Sequence, residues 1–114
     1  CKSSCSWPGK TSVKTRPLQT CDRSDNPIND DGNTPSGCNG GTAFSCSTEQ
    51  PFALNDTVSF GYAAVKLAGG SENSWCCACY ELTFNGGSVS GKKFVIQATN
   101  TGGDLGDNHF DLAI

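Results

Sequence analysis

The segment that decides the fold covers residues 76–114 and reads CCACYELTFNGGSVSGKKFVIQATNTGGDLGDNHFDLAI. It contains three runs rich in β-branched and aromatic residues, separated by glycine turns, at 77–84, 92–99 and 108–114. In the middle run, alternate residues point to opposite faces of a strand, so that Phe94, Ile96 and Ala98 predict one buried face. Three strands in about 40 residues predict a barrel or a sandwich.

The stretch before this segment has a different periodicity. Apolar residues recur there at helical spacing, at Leu54, Val58, Tyr62 and Val65. Asn55 or Asp56 is a suitable helix cap, and Gly69-Gly70 is a suitable end, so the pattern predicts one helix of about four turns. Asn55 also begins the glycosylation sequon Asn55-Asp56-Thr57, and the sequence leaves open whether it is glycosylated or only a cap.

The cysteine content indicates an oxidising compartment. Eight cysteines in 114 residues are too many for a reducing compartment unless they bind metal, and 35% hydrophobic residues leave a modest core. Zinc sites usually combine paired C-x2-C spacings or histidines, whereas this chain has one histidine and one crowded cysteine run. We therefore expect disulfides, a secreted and extracellular protein, and no metal or other cofactor.

Charge and hydropathy narrow the possible partners. The net charge is -3 and there is no cluster of Lys and Arg, which argues against a nucleic acid or an anionic membrane surface. No apolar stretch approaches the ~20 residues that span a bilayer. Residues 1–50 are rich in proline and glycine, which predicts loops that disulfides organise.

Candidate catalytic residues lie near the third strand. Phe110, Leu112 and Ile114 alternate there with His109 and Asp111. Burial of the apolar set would place His109 and Asp111 on an open face, and a barrel wall would allow the reverse. The glycine-rich loop before it carries two more carboxylates, Asp104 and Asp107. Clustered carboxylates raise one another's pKa, as a general acid requires, but aspartate is also a preferred turn residue and spacing alone does not decide.

Three segments resemble the endoglucanases of glycoside hydrolase family 45. They are CKSSCSW at 1–7, SWCCACYELTF at 74–84 and TGGDLGDNHFDL at 101–112. The similarity runs over all 114 residues, and the second and third motifs are too long and too varied in composition for a chance match. The resemblance implies a mainly β fold, a six-stranded double-psi β-barrel with a short helix and disulfide-stapled loops, of which this chain would be a fragment.

The same resemblance implies an endo-β-1,4-glucanase that cleaves a β-1,4-glucan, such as cellulose, with inversion of configuration. Inversion uses two carboxyl groups roughly 6.5–9.5 Å apart, one as acid and one as base. Asp111 matches the general acid, and Asp104 matches an assisting aspartate on a flexible loop. The general base of the family lies in a Tyr-Trp-Asp-Cys-Cys segment whose last cysteine matches Cys1, so the base would precede this chain.

The resemblance also implies the cysteine pairing and the extent of the domain. It joins Cys1 to Cys38, Cys5 to Cys76 and Cys21 to Cys46, and it pairs Cys77 and Cys79 with cysteines far downstream. Residues 1–114 are therefore expected to be the N-terminal part of a single catalytic domain, truncated at both ends and acting as a monomer.

Three further residues are expected to bind substrate. Trp7 matches an aromatic residue of the groove, where its ring would stack on a pyranose; packing over the Cys5 disulfide is the alternative. His109 would orient neighbouring groups or contact the sugar, and Lys2 would hydrogen-bond sugar hydroxyls.

Two other classes of protein remain open from the sequence. An expansin-like module, which loosens cell walls or binds polysaccharide without hydrolysis, shares this barrel and the His-Phe-Asp motif but lacks the base. A disulfide-rich defence module of the barwin type would need no acid, and Asp111→Asn would leave its function intact. The residues before Cys1 distinguish the hydrolase from the expansin-like module.

Overall fold

The computed structural model describes residues 1–114, and the fold is mainly β with eight strands and one short α-helix. Helix α1 spans Glu72–Trp75. Single 3₁₀ turns lie at Ser4–Ser6, Gly37–Asn39 and Gly87–Val89. The strands are β1 (Thr20–Cys21), β2 (Pro27–Ile28), β3 (Phe44–Ser45), β4 (Phe52–Ala53), β5 (Val58–Lys66), β6 (Cys79–Thr83), β7 (Lys93–Thr101) and β8 (His109–Leu112).

The strands form two sheets. The short strands of the first half pair in the order β2-β1-β3, and the second sheet has the order β4-β5-β7-β6, with β8 also paired to β5. Strands β5 and β7 run parallel, while the other pairs in this sheet are antiparallel. One edge of β5 is shared, because β4 pairs with its first half and β8 with its second half. The closed six-stranded barrel stays a prediction, whereas the mainly β fold is confirmed.

The core lies against the parallel pair β5 and β7. Alternate residues of β7 are buried, and Phe94, Ile96 and Ala98 are at most 6% exposed. They pack with Ala63 and Val65 of β5, and the rest of the cluster comprises Cys5, Trp75 and Cys76. The predicted buried face of the middle strand is therefore confirmed.

The helix predicted from residue 54 to the glycines at 69–70 is wrong, because residues 58–66 form β5. Of the positions that suggested a helix, Val58 and Tyr62 lie on one face of this strand and Val65 on the other, where it is buried with Gly61 and Ala63. Gly61 itself disfavours a helix interior, and in the strand the ring of Phe94 lies where its side chain would be, 2.4 Å from an added Cβ. Backbone pairing on both edges of β5 outweighs the helix propensity of its alanines.

Asn55 consequently shapes a turn into β5 and does not cap a helix. Its side-chain oxygen accepts hydrogen bonds from the backbone N–H groups of Thr57 and Val58, each at 2.9 Å. The single α-helix begins later, after Ser71, whose backbone N–H donates to the hydroxyl of Ser74 at 2.9 Å.

Three disulfides link the loops to the sheet. Their pairs are the ones that the family resemblance implies, namely Cys1–Cys38, Cys5–Cys76 and Cys21–Cys46. The Cys5–Cys76 bond is buried in the core and connects the start of the chain to the end of α1. Cys77 and Cys79 are free thiols, one partly buried and the other exposed. No helix of the chain is both long enough and apolar enough to cross a membrane.

Candidate active site

Strand β8 places Asp111 on an open face. Phe110 and Leu112 turn toward the core, where the Phe110 ring meets Tyr80 edge-on at a centroid distance of 5.7 Å. His109 and Asp111 alternate with them and are exposed. The backbone of Asp111 pairs with Ala64 of β5, so the strand holds this carboxyl group in a defined position. The predicted open face is confirmed.

Asp111 lines a groove of about 270 Å³ where the disulfide-linked half of the chain meets the sheet. The sheet side of the groove is formed by residues of β5 and β7 and by residues 111–113. The loop side is formed by Ser3, Ser45, Cys46 and Glu49. Two carboxyl groups, those of Asp111 and Glu49, therefore face one cavity, and no Lys, Arg or His lines it.

The loop before β8 carries Asp104 and is fixed at both ends. Its first end is bound by Gly102, whose N–H donates to the carbonyl of Val65 at 3.1 Å. Its second end is bound by His109, whose Nδ1 accepts a hydrogen bond from the Gly106 N–H at 3.1 Å. Nδ1 must be unprotonated to accept this bond, so a neutral ring carries its proton on Nε2. Asp104 is exposed on this loop and is not among the residues that line the groove.

Lys2 does not line the groove. The side chain is buried, and its ammonium group donates to the carbonyls of Gly32 at 2.5 Å and Thr34 at 2.8 Å. The same ammonium lies 3.5 Å from the ring centroid of Trp7, a cation–π contact. Burial lowers the pKa of Lys2, and the Asp30 carboxylate partly opposes this shift. These contacts give Lys2 a role in holding residues 32–34 and Trp7, whose ring stays partly exposed.

Trp75 has a structural role. The side chain is 5% exposed, and its indole N–H donates to the hydroxyl of Thr101 at 3.1 Å. Thr101 in turn donates to Glu72 at 2.8 Å, and Glu72 pairs with Lys10 at 2.9 Å. This network joins α1 to the end of β7.

Glu49 is a groove residue that sequence reasoning missed. Burial raises the pKa of Glu49 to about 7, against a weaker opposing effect of hydrogen bonds from Ser3 and the backbone. One of its carboxyl oxygens, Oε1, is buried and has no hydrogen-bond partner. A lone glutamate in a polar loop is usually solvated, so no motif or spacing in the sequence distinguishes it.

One group of side chains has its ligand atoms close enough to share a metal ion, namely Cys21, Asp25 and Cys46. The two cysteines form a disulfide, so they supply no thiolate to an ion.

Comparison with known proteins identifies the family. The model of glycosyl hydrolase family 45 matches residues 1–114, the whole chain. The chain belongs to glycosyl hydrolase family 45. An endoglucanase of the springtail Cryptopygus antarcticus is 51% identical over 114 residues, which are 100% of this chain and 49% of that protein. A Fusarium oxysporum protein with a provisional assignment as endoglucanase type K is 58% identical over 113 residues, 98% of this chain and 30% of that protein.

A solved structure of this family supports the fold. The crystal structure of a cellulase from the same Antarctic springtail superposes with a TM-score of 0.92 at 50% identity. The match covers 100% of this chain and 53% of the springtail chain. This family 45 chain thus spans about half the length of its springtail relative, and less of the Fusarium protein.

Proposed function

We propose that the protein is an endo-β-1,4-glucanase that hydrolyses internal bonds of cellulose or a related β-1,4-glucan with inversion, and that Asp111 is its general acid. Membership of glycosyl hydrolase family 45 supports a glycoside hydrolase. The relatives named endoglucanase and the solved cellulase support the substrate class. Asp111 in the groove is the observation that carries the assignment.

A general acid must come within hydrogen-bond distance of the leaving oxygen. Asp111 meets this condition because its side chain is exposed, lines an open groove and rests on a strand held by backbone pairing to β5. A flexible loop would hold the carboxyl group less accurately than this strand does.

The general base would enter the groove next to Cys1. The carbonyl of Cys1 accepts hydrogen bonds from the backbone N–H of Ser45 at 3.1 Å and from its hydroxyl at 3.0 Å. Because Ser45 lines the groove that contains Asp111, a carboxylate just before Cys1 would lie at the loop side of that groove. In an inverting mechanism the base would activate a water across a gap of roughly 6.5–9.5 Å from the acid. Asp104 would assist from the adjacent loop.

The 114 residues would then be the N-terminal part of one catalytic domain, truncated at both ends. The remaining part would complete the six-stranded double-psi barrel and supply partners for Cys77 and Cys79. Three disulfides are consistent with secretion to the extracellular space, because such bonds persist in oxidising compartments. Trp7 and His109 would contact the glucan of this monomeric enzyme.

The test measures reducing-end release and viscosity loss on carboxymethylcellulose with the full-length protein. Asp111→Asn should lower kcat about 10²–10⁴-fold, the usual contribution of a general acid. Asp56→Asn is the matched control, because Asp56 is exposed and lies outside the groove. The assignment is supported if the wild type and the control rapidly lower the viscosity of the carboxymethylcellulose solution and Asp111→Asn does not. Absence of release from the wild type with cellulose binding retained would overturn it in favour of a non-hydrolytic, expansin-like module.

A further inference from the structure

Glu49 lies in the wall of the groove with no role in the proposed mechanism. Its loop follows β3, and the carboxyl oxygen Oε2 lies 3.5 Å from the hydroxyl of Ser3. The Ser3 hydroxyl is 2.8 Å from the hydroxyl of Ser45, which is 3.0 Å from the carbonyl oxygen of Cys1. A chain of hydrogen bonds therefore runs from the Glu49 carboxyl group to the backbone at the loop side of the groove.

The direction of this chain depends on the proton of Glu49. Each serine hydroxyl has one proton to donate. With Glu49 protonated, Glu49 donates to Ser3, Ser3 to Ser45, and Ser45 to the Cys1 carbonyl. With Glu49 ionised, the carboxylate only accepts, so Ser3 donates to it and Ser45 turns its proton toward Ser3. The two states differ in the direction of the Ser45 hydroxyl, which is partly exposed in the groove.

We propose that Glu49 is a positioning residue for glucan binding. Through Ser3, its neutral form holds the Ser45 proton on the Cys1 carbonyl, so that a lone pair of Ser45 accepts a hydrogen bond from a hydroxyl of the sugar in the groove. This inference rests on the proposed function, because it takes the groove as the glucan site. Ser45 makes the contact, since Ser3 is only 6% exposed and is covered by its neighbours.

The surroundings of Glu49 favour its neutral form. Burial raises its pKa to about 7, and the unpartnered Oε1 is tolerated best when the carboxyl group carries no charge. The other titratable group that lines the groove is Asp111, a like charge, and no cation lines it.

A sugar hydroxyl bound to the Ser45 lone pair stabilises the arrangement of the hydrogen-bond chain that requires a protonated Glu49. The complex therefore holds this proton more tightly than the free protein does. By linkage, glucan affinity is highest below the pKa of Glu49 and falls as the pH rises through it.

The test measures cellohexaose affinity by calorimetry in full-length Asp111→Asn protein. A carboxylate of ordinary pKa at the place proposed for the base stays ionised over the pH range used, so Glu49 is the groove group expected to titrate. Cellohexaose is neutral, so the pH acts on the protein alone. Affinity should fall about fivefold, the equivalent of one hydrogen bond, between about pH 5.5 and about pH 8.5. Adding Glu49→Gln should remove this pH dependence and keep the low-pH affinity, because the amide donates to Ser3 at every pH.

Two further variants separate positioning from a structural role. Ser3→Ala breaks the chain and should abolish the pH dependence while Glu49 is intact. Glu81→Gln is the matched control, because Glu81 is an exposed carboxylate on β6 paired with Lys93 at 2.9 Å, and it should behave like its parent.

The inference is overturned if the affinity still depends on pH in the Glu49→Gln or Ser3→Ala variant. It is also overturned if the affinity of the parent does not depend on pH while NMR shows Glu49 titrating near neutrality. In the enzyme with Asp111 restored, a Glu49→Gln loss of kcat at unchanged KM would also overturn it and make Glu49 a proton donor. Calorimetry measures cellohexaose binding and does not require hydrolysis. If the wild type binds cellohexaose in a pH-dependent way but releases no reducing ends, the proposed function is rejected and the positioning role of Glu49 is retained.

Discussion

Glu49→Gln should stabilise the protein near neutrality and leave its stability in acid nearly unchanged. The carboxyl group has a pKa of 4.5 as its ordinary value and about 7 in the folded protein, because burial disfavours its charge. The folded state therefore binds this proton more tightly than the unfolded chain. The stability that the neutral carboxyl group provides is fully present below pH 4.5 and is lost as the pH rises to about 7.

The size of the effect follows from the two pKa values. A separation of about 2.5 pH units corresponds to about 3.4 kcal/mol, at about 1.36 kcal/mol per unit. Glu49 is only partly buried, so solvent screening reduces this figure to roughly 2 kcal/mol. Glutamine has nearly the same shape and never ionises, so it should recover about this amount above pH 7.

Urea unfolding of the oxidised protein at about pH 4 and about pH 8 measures the difference. The wild type and the Glu81→Gln control should lose the same stability between the two values, while Glu49→Gln should lose roughly 2 kcal/mol less. Equal losses in all three proteins would refute the reasoning, because they would mean that Glu49 is ionised in the folded state without cost.

Two further predictions concern packing and the disulfides. Gly61→Ala should lower the free energy of unfolding by about 1–3 kcal/mol, because the added methyl group would meet the Phe94 ring. Thermal unfolding measures the effect, with Gly86→Ala as the control because a methyl group there would enter open space. Replacing Cys5 and Cys76 by alanine opens a loop of 71 residues and should lower the free energy of unfolding by about 4.4 kcal/mol through chain entropy. Replacing Cys21 and Cys46, which close a loop of 25 residues, should lower it by about 3.5 kcal/mol. Denaturant unfolding of both double variants gives the order, and equal losses would contradict the loop-length argument.

The second half of the fold could be predicted from its residues, and one element before it could not. Strand β7 alternates between buried and more exposed residues from Lys93 to Ala98, so its buried face was evident from the pattern. Strand β5 carries apolar residues on both of its faces, so its sequence shows no period of two that would distinguish it from a helix. Residues 58–66 form a strand because they pair with β4, β7 and β8, and the pairings with β7 and β8 join residues far apart in the sequence.

The site was predictable where a side chain's position follows from its own strand. The alternation of β8 predicts that Asp111 and His109 share the face opposite Phe110 and Leu112, and in the structure the face of Asp111 and His109 is the exposed one. Glu49 depends on the approach of Ser3, 46 residues away in the sequence, so no local pattern could reveal its burial.

The Cys5–Cys76 disulfide makes the order of biosynthesis a factor in folding. Cys5 leaves the ribosome 71 residues before its partner, which at about 5–20 residues per second is a delay of about 4–14 seconds. During that interval Cys5 meets Cys21, Cys38 and Cys46, each of which has another native partner. Efficient production of the protein therefore depends on disulfide exchange after residue 76 has been made, and an isomerase should raise the yield of native protein.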